Sequence, residues 1–120
     1  MEKIIIEGEL PTLNEIIDLS KTHWAKYREV KRINTNLVAF ISNRLPKFEA
    51  IKLDITYYRK DRRTDPDNIV ASKKFILDGL VKSGVIKNDG WGEVKGFKES
   101  WKVDKDNPRI EVTIIPVKGG

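Results

Sequence analysis

The period of hydrophobic positions changes several times along the chain, and each change marks an element. Residues 3–7, KIIIE, are rich in β-branched side chains and predict a strand closed by Gly8 and Pro11. Thr12 or Asn14 then suits a helix N-cap, and Glu15 stands three residues after Thr12, as a capping box requires. From Leu13 through Ile16, Ile17, Leu19, Trp24, Tyr27, Val30, Ile33, Leu37, Val38, Phe40 and Ile41, apolar residues recur at mostly helical spacing to about Leu45. This is one long helix or two joined near Ser20–His23, and Pro46 marks its end.

Residues 48–59 switch to a period of two, with Phe48, Ala50, Ile51, Leu53, Ile55 and Tyr57 set against Glu49, Lys52, Asp54 and Thr56. That alternation is a strand with one buried face. A charged turn, RKDRRTDPDN, runs from Arg59 to Asn68. Residues 68–83 predict a second amphipathic helix, with Ile69, Ile76, Leu77, Leu80 and Val81 on one side and Gly84 placed as its cap. Val85 and Ile86 predict a short strand broken by the Asn88–Asp89–Gly90 turn; residues 93–101 and 109–117 predict two more, joined by DKDNP at 104–108. The order β-α-β-α-β-β predicts an α+β, two-layer domain over residues 1–120, a mixed sheet with helices packed on one face.

Composition narrows the chemistry. The 120 residues hold no cysteine and one histidine. Disulfides, thiolate nucleophiles and cysteine-ligated metals are therefore excluded, and a histidine cluster cannot form. Carboxylate, lysine and hydroxyl chemistry remains. The net charge of +5 and pI near 9.4 favour a polyanionic partner without establishing one. No stretch approaches the length of a membrane span, and the start does not read as a signal peptide, so no membrane partner and a cytoplasmic location are expected.

The most informative stretch is Asp65–Pro66–Asp67–Asn68. Two aspartates at i and i+2 on extended chain point the same way, and a helix N-terminus beside them favours negative charge. Asp89 falls at the next turn, after the helix has run back across the sheet, so the three carboxylates are expected to meet at one edge. Their mutual repulsion would be relieved by a divalent cation, and all-oxygen ligation points to Mg²⁺, with Mn²⁺ as a substitute. Each residue also has a plainer reading: Asp65–Pro66 as an ordinary helix start, Asn88–Asp89–Gly90 as an ordinary turn.

The basic strip Arg59, Lys60, Arg62 and Arg63 adds a feature that caps and turns do not require. Cations that hold a phosphate backbone beside an acidic metal site are the parts phosphodiester cleavage needs. A solvated loop is the competing reading. Lys74, seven residues after Asp67, lies on nearly the same helical face and can reach back toward the carboxylates. Lys73 is rotated from it by about 100° and is expected to face solvent or DNA. His23 and Trp24 read as structural or incidental, and Trp91 as a packing or stacking residue. The segment 12–45 carries six Lys/Arg against three acids, enough to touch phosphates.

The run DPDN…SKKFILDGLVKSGVIKNDG resembles the RusA family of Holliday junction resolvases, common in phages and prophages, most closely over residues 62–90. Asp65 and Asp67 match the family's opening pair, Lys74 stands four residues before Asp78, and Gly84 and Asp89 complete the pattern. The gap from Asp67 to Lys74 is longer than in the enterobacterial member by about one helical turn. The resemblance implies a homodimeric, Mg²⁺-dependent endodeoxyribonuclease that cuts two opposed strands of a four-way junction. It assigns Asp65, Asp67 and Asp89 as metal and catalytic carboxylates and Lys74 as the catalytic lysine. A non-catalytic DNA-binding module, a nuclease for flaps or forks, and a small protein-interaction domain remain the alternatives.

Overall fold

The computed structural model describes residues 1–118. The first strand, β1 (Glu2–Glu7), buries Ile4 and Ile6 while Lys3 and Ile5 face outward. Gly8, at φ +82°, turns the chain away from it in a left-handed conformation that a side chain resists. Helix α1 (Leu13–Thr22) opens with the expected capping box: Glu15 N–H donates to the Thr12 hydroxyl, and the Glu15 carboxylate accepts from Thr12 N–H. The helical region is two helices. His23, at φ −142° and ψ 70°, leaves helical geometry and separates α1 from α2 (Trp24–Ser42).

Strand β2 (Ala50–Arg59) sits inside the sheet, and Ile51, Leu53, Ile55 and Tyr57 are almost wholly buried. The predicted helix over 68–83 is interrupted. It divides into α3 (Pro66–Val70) and α4 (Lys73–Lys82), because Ser72 turns inward and its hydroxyl donates to the Ile69 carbonyl at 2.8 Å. Backbone bonds from Ser72 N–H to Ile69 and from Phe75 N–H to Ser72 tighten the chain to an i, i+3 pattern at the break. The break lies between Asp67 and Lys74.

Gly84, again at φ +82°, ends α4. Its N–H donates to the Val81 carbonyl and that of Val85 to Leu80, a Schellman closure. Val85 and Ile86 are therefore buried turn residues and not the predicted strand: the closure consumes the N–H that a ladder would need. Strands β3 (Val94–Val103) and β4 (Arg109–Val117) follow.

The sheet order is β1-β4-β2-β3, with β2 and β3 parallel and the other pairs antiparallel. Helices cover the face carrying Ile4, Ile6, Leu53, Ile55, Ile110, Val112 and Ile114, which join Val38, Phe75, Ile76 and Leu80 in the core. This is the expected α+β arrangement with a mixed sheet. Gly79 lets α4 lie directly on α2, since a Cβ there would collide with the Val38 side chain. β3 is an edge strand. Its register opposite Leu53, Ile55, Tyr57 and Arg59 puts Phe97, Glu99, Trp101 and Val103 on the helical side of the sheet, beyond the reach of full cover.

Candidate active site

Parallel pairing of β2 and β3 decides which residues share a neighbourhood. Asp65 follows the C-terminal end of β2, next to the C-terminal end of β3. It lines a groove of about 370 Å³ with Arg59, Arg62, Thr64 and Trp101. Asp65 occupies the N-cap position of α3 with Pro66 at the first helical position, yet its side chain makes no capping hydrogen bond. The helix start thus leaves a carboxylate free. Asp67 is exposed in the first turn of α3. Since the chain is already helical there, the two-residue period of extended chain does not align Asp67 with Asp65, contrary to expectation.

Arg59 is mostly buried and fixed from two sides, by Glu9 at 3.4 Å and by the Thr64 hydroxyl at 3.2 Å. Glu9 also accepts the backbone N–H of Lys60. Arg62, Arg63 and the Lys60 side chain are exposed, and Arg63 makes only a long contact of 3.7 Å with Asp61. The strip therefore divides into one positioned guanidinium beside Asp65 and three cations free to meet a polyanion.

Asp89 lies on the approach to the other end of β3. It shares a second groove, of about 570 Å³, with Lys73, Leu77, Trp91 and Phe97. Lys74 donates to Asp89 at 3.4 Å and pairs with Asp78 at 3.1 Å. The Asp78 hydrogen bond, reinforced by the charges of both aspartates, raises the Lys74 pKa and keeps it an ammonium. Asn88 shapes the turn, its side-chain oxygen accepting Asp89 N–H at 2.9 Å. Trp91 is 97% exposed and packs on nothing that would hide it.

Phe97 and Trp101, where the two grooves reach β3, are four residues apart, roughly 13 Å along a strand. Among the described residues no three acidic or histidine side chains gather closely enough to hold a metal ion. Asp65, Asp67 and Asp89 are thus not drawn together at one edge of the folded chain, as sequence spacing suggested. Like charges with no cation between them repel, and here Asp89 has a lysine as its partner.

Lys74 reaches the Asp89 carboxylate as expected, whereas Lys73 departs from expectation. Lys73 is turned inward, its ammonium 2.8 Å from Glu99 and 4.1 Å above the Phe97 ring, while Lys74 is the more exposed. Lys73 is therefore an internal ion-pair partner and not the free DNA contact expected. Glu99 also accepts from the Tyr57 hydroxyl at 2.8 Å. Burial, together with that hydrogen bond, raises the Tyr57 pKa and keeps the phenol protonated. Sequence reading missed Glu9, Glu99 and Tyr57, because each acts through a partner on a different strand or helix.

Residues 14–115 match the family model for endodeoxyribonuclease RusA. A search of curated proteins finds no match to the chain. No helix among the described residues is long and apolar enough to cross a membrane. With a family match spanning most of the sequence, the chain belongs to the RusA family of endodeoxyribonucleases.

Proposed function

We propose that this protein resolves four-way DNA junctions by Mg²⁺-dependent phosphodiester hydrolysis, acting as a homodimer that nicks two opposed strands. The observation that carries the reading is the free carboxylate of Asp65. A residue set at a helix N-cap, without capping it, is available for other chemistry. Asp65 and Asp67 supply the hard oxygen donors Mg²⁺ prefers, and Mg²⁺ is commonly held by one or two carboxylates with water and substrate phosphate completing its shell. Mn²⁺ suits the same donors. The chemistry a bound Mg²⁺ supplies is activation of water and compensation of charge on the phosphate.

The chain's own groups divide the remaining work. Arg59, held by Glu9 and Thr64, presents a fixed cation beside Asp65, and Arg62, Arg63 and Lys60 grip the backbone. Lys74 stays charged and transfers from Asp89 to an incoming phosphate, exchanging one anion for another. That exchange frees the Asp89 carboxylate within its own groove, apart from Asp65 and Asp67. A two-fold dimer supplies two identical sites for two cuts. The edge strand β3, with Phe97, Trp101 and Val103 each about half exposed, is the surface best suited to a second copy. Action inside the cell, on phage or host recombination intermediates, fits this chemistry.

The direct test is Asp67→Asn. Cleavage of a labelled four-way junction in Mg²⁺ is expected to fall at least about a thousandfold (~4 kcal/mol of barrier), with junction binding retained. Calorimetric titration with Mg²⁺ should show weakened binding in the same variant. Parental cutting would refute the catalytic assignment, and binding without metal-dependent products in the parent would point to a non-catalytic module.

A further inference from the structure

A third groove lies away from the acidic residues. Toward the N-terminal part of α2, from the close crossing at Gly79, α2 and α4 diverge around a space of about 490 Å³. Trp24, Arg28 and Lys31 line its α2 wall, and Asp78 and Lys82 its α4 wall. Trp24, Arg28, Lys31 and Thr35 follow one another at steps of four, three and four, a single stripe along the helix. The Trp24 ring is 62% exposed and stacked on Tyr27, with centroids 5.5 Å apart. An indole backed by a second ring is a firm platform with a free face.

The charge of the groove selects its occupant. Among the described residues no ion pair involves Arg28, Lys31 or Lys82, although Lys82 donates a hydrogen bond to the neutral Asn36 side chain on the opposite wall, whereas Arg32 is engaged by Glu29. The one carboxylate on the wall, Asp78, is already paired with Lys74. Unpaired cations around an exposed aromatic face are the combination that holds single-stranded nucleic acid: phosphates on the cations, a base on the ring. On α4 the groove residues Asp78 and Lys82 stand at i+4 and i+8 from Lys74, so the groove wall lies on the same helical stripe as Lys74, whose ammonium pairs with Asp78.

We infer that this groove takes one strand of the branched DNA beyond the cleavage site, its phosphates on Arg28, Lys31 and Lys82 and an unpaired base stacked on Trp24. The inference rests on the reading that the chain acts on branched DNA. It assigns Trp24 a binding role that the sequence pattern alone presented as incidental.

The test measures binding of the full chain to a fluorescent four-way junction in EDTA, over a range of salt. Trp24→Ala is expected to weaken binding about tenfold and Trp24→Phe to stay within about twofold of the parent. Arg28→Ala with Lys31→Ala should make the slope of log K against log salt shallower by roughly 1.5. In a Trp91→Phe, Trp101→Phe background, the remaining Trp24 fluorescence should be quenched by the junction and by a single-stranded oligonucleotide. Unchanged affinity, slope and fluorescence would overturn the inference. So would variants that bind DNA normally but sediment at a different mass, since the groove would then be a protein interface. Nicking in Mg²⁺ is scored separately: a parent that binds through Trp24 but never nicks refutes the nuclease reading and leaves the groove standing. A parent that nicks while the groove variants bind undiminished refutes the groove alone.

Discussion

Asp65 and Asp89 are the same residue type, each at a turn flanking a helix, yet the fold leaves them in opposite states. The Asp65 carboxylate has no hydrogen-bond or ion-pair partner among the described residues and lies beside a guanidinium already held by Glu9 and Thr64. Asp89 is engaged by Lys74, which Asp78 shares. A free carboxylate is poised for an external cation, whereas a paired one must first be released. The difference separates a binding end from a positioning end of the proposed site, and substitutions at the two ends should separate accordingly.

The largest effect that sharpens this contrast is expected from Lys74→Gln. Loss of a cation aimed at the phosphate should lower kcat about a hundredfold, with Mg²⁺ affinity at the Asp65 end nearly unchanged in calorimetry. Equal loss of metal affinity and rate would erase the distinction between the ends. Next in size is Gly79→Ala, which forces a methyl group onto Val38 and should cost about 1–3 kcal/mol in a urea melt. Because α4 carries Lys74 and α3 carries Asp67, the displacement should reduce cleavage more than Mg²⁺ binding.

A smaller effect concerns stability. Asp65→Asn removes no capping bond and should change unfolding free energy by no more than about 0.5 kcal/mol, even as cleavage is lost. A drop beyond about 1 kcal/mol would mean that Asp65 is a structural cap after all. The smallest effect is a pH shift. Lys74 has its folded pKa raised, first by the Asp78 hydrogen bond and then by Asp89. Its contribution to stability is therefore complete below the unfolded value of about 10.4 and fades only as pH climbs through the higher folded value. Asp89→Asn should move the alkaline limb of the pH–rate profile downward, and a limb that does not move would dissociate Lys74 from catalysis.

Much of the fold was legible because local patterns and global burial agree. The alternation in 48–59 became β2, the Thr12–Glu15 signature became a real capping box, and Gly84 closes α4 as its position implied. The misreadings are equally specific. Val85 and Ile86 carry strand-like side chains, but the Val85 N–H is committed to the helix closure and its carbonyl to Phe48 N–H. The break at Ser72 depends on a hydroxyl turning inward, which periodicity does not record. Lys73 and Lys74 differ by one residue step, and only Glu99, on a strand 26 positions downstream, decided which of them turned in.

By itself the sequence determined most element types, the exclusion of sulfur and histidine-cluster chemistry, the candidate carboxylates and the family signature. These follow from residue identity and spacing over a few helical turns or strand repeats, where covalent geometry limits the outcomes. Tertiary structure alone decided the states of those residues. Parallel pairing of β2 with the edge strand β3 placed Asp65 and Asp89 at separate grooves, and the α2–α4 crossing opened the aromatic, basic groove. Charge pairing depends on distances between segments far apart in the chain, and only the folded sheet and its helices set those distances.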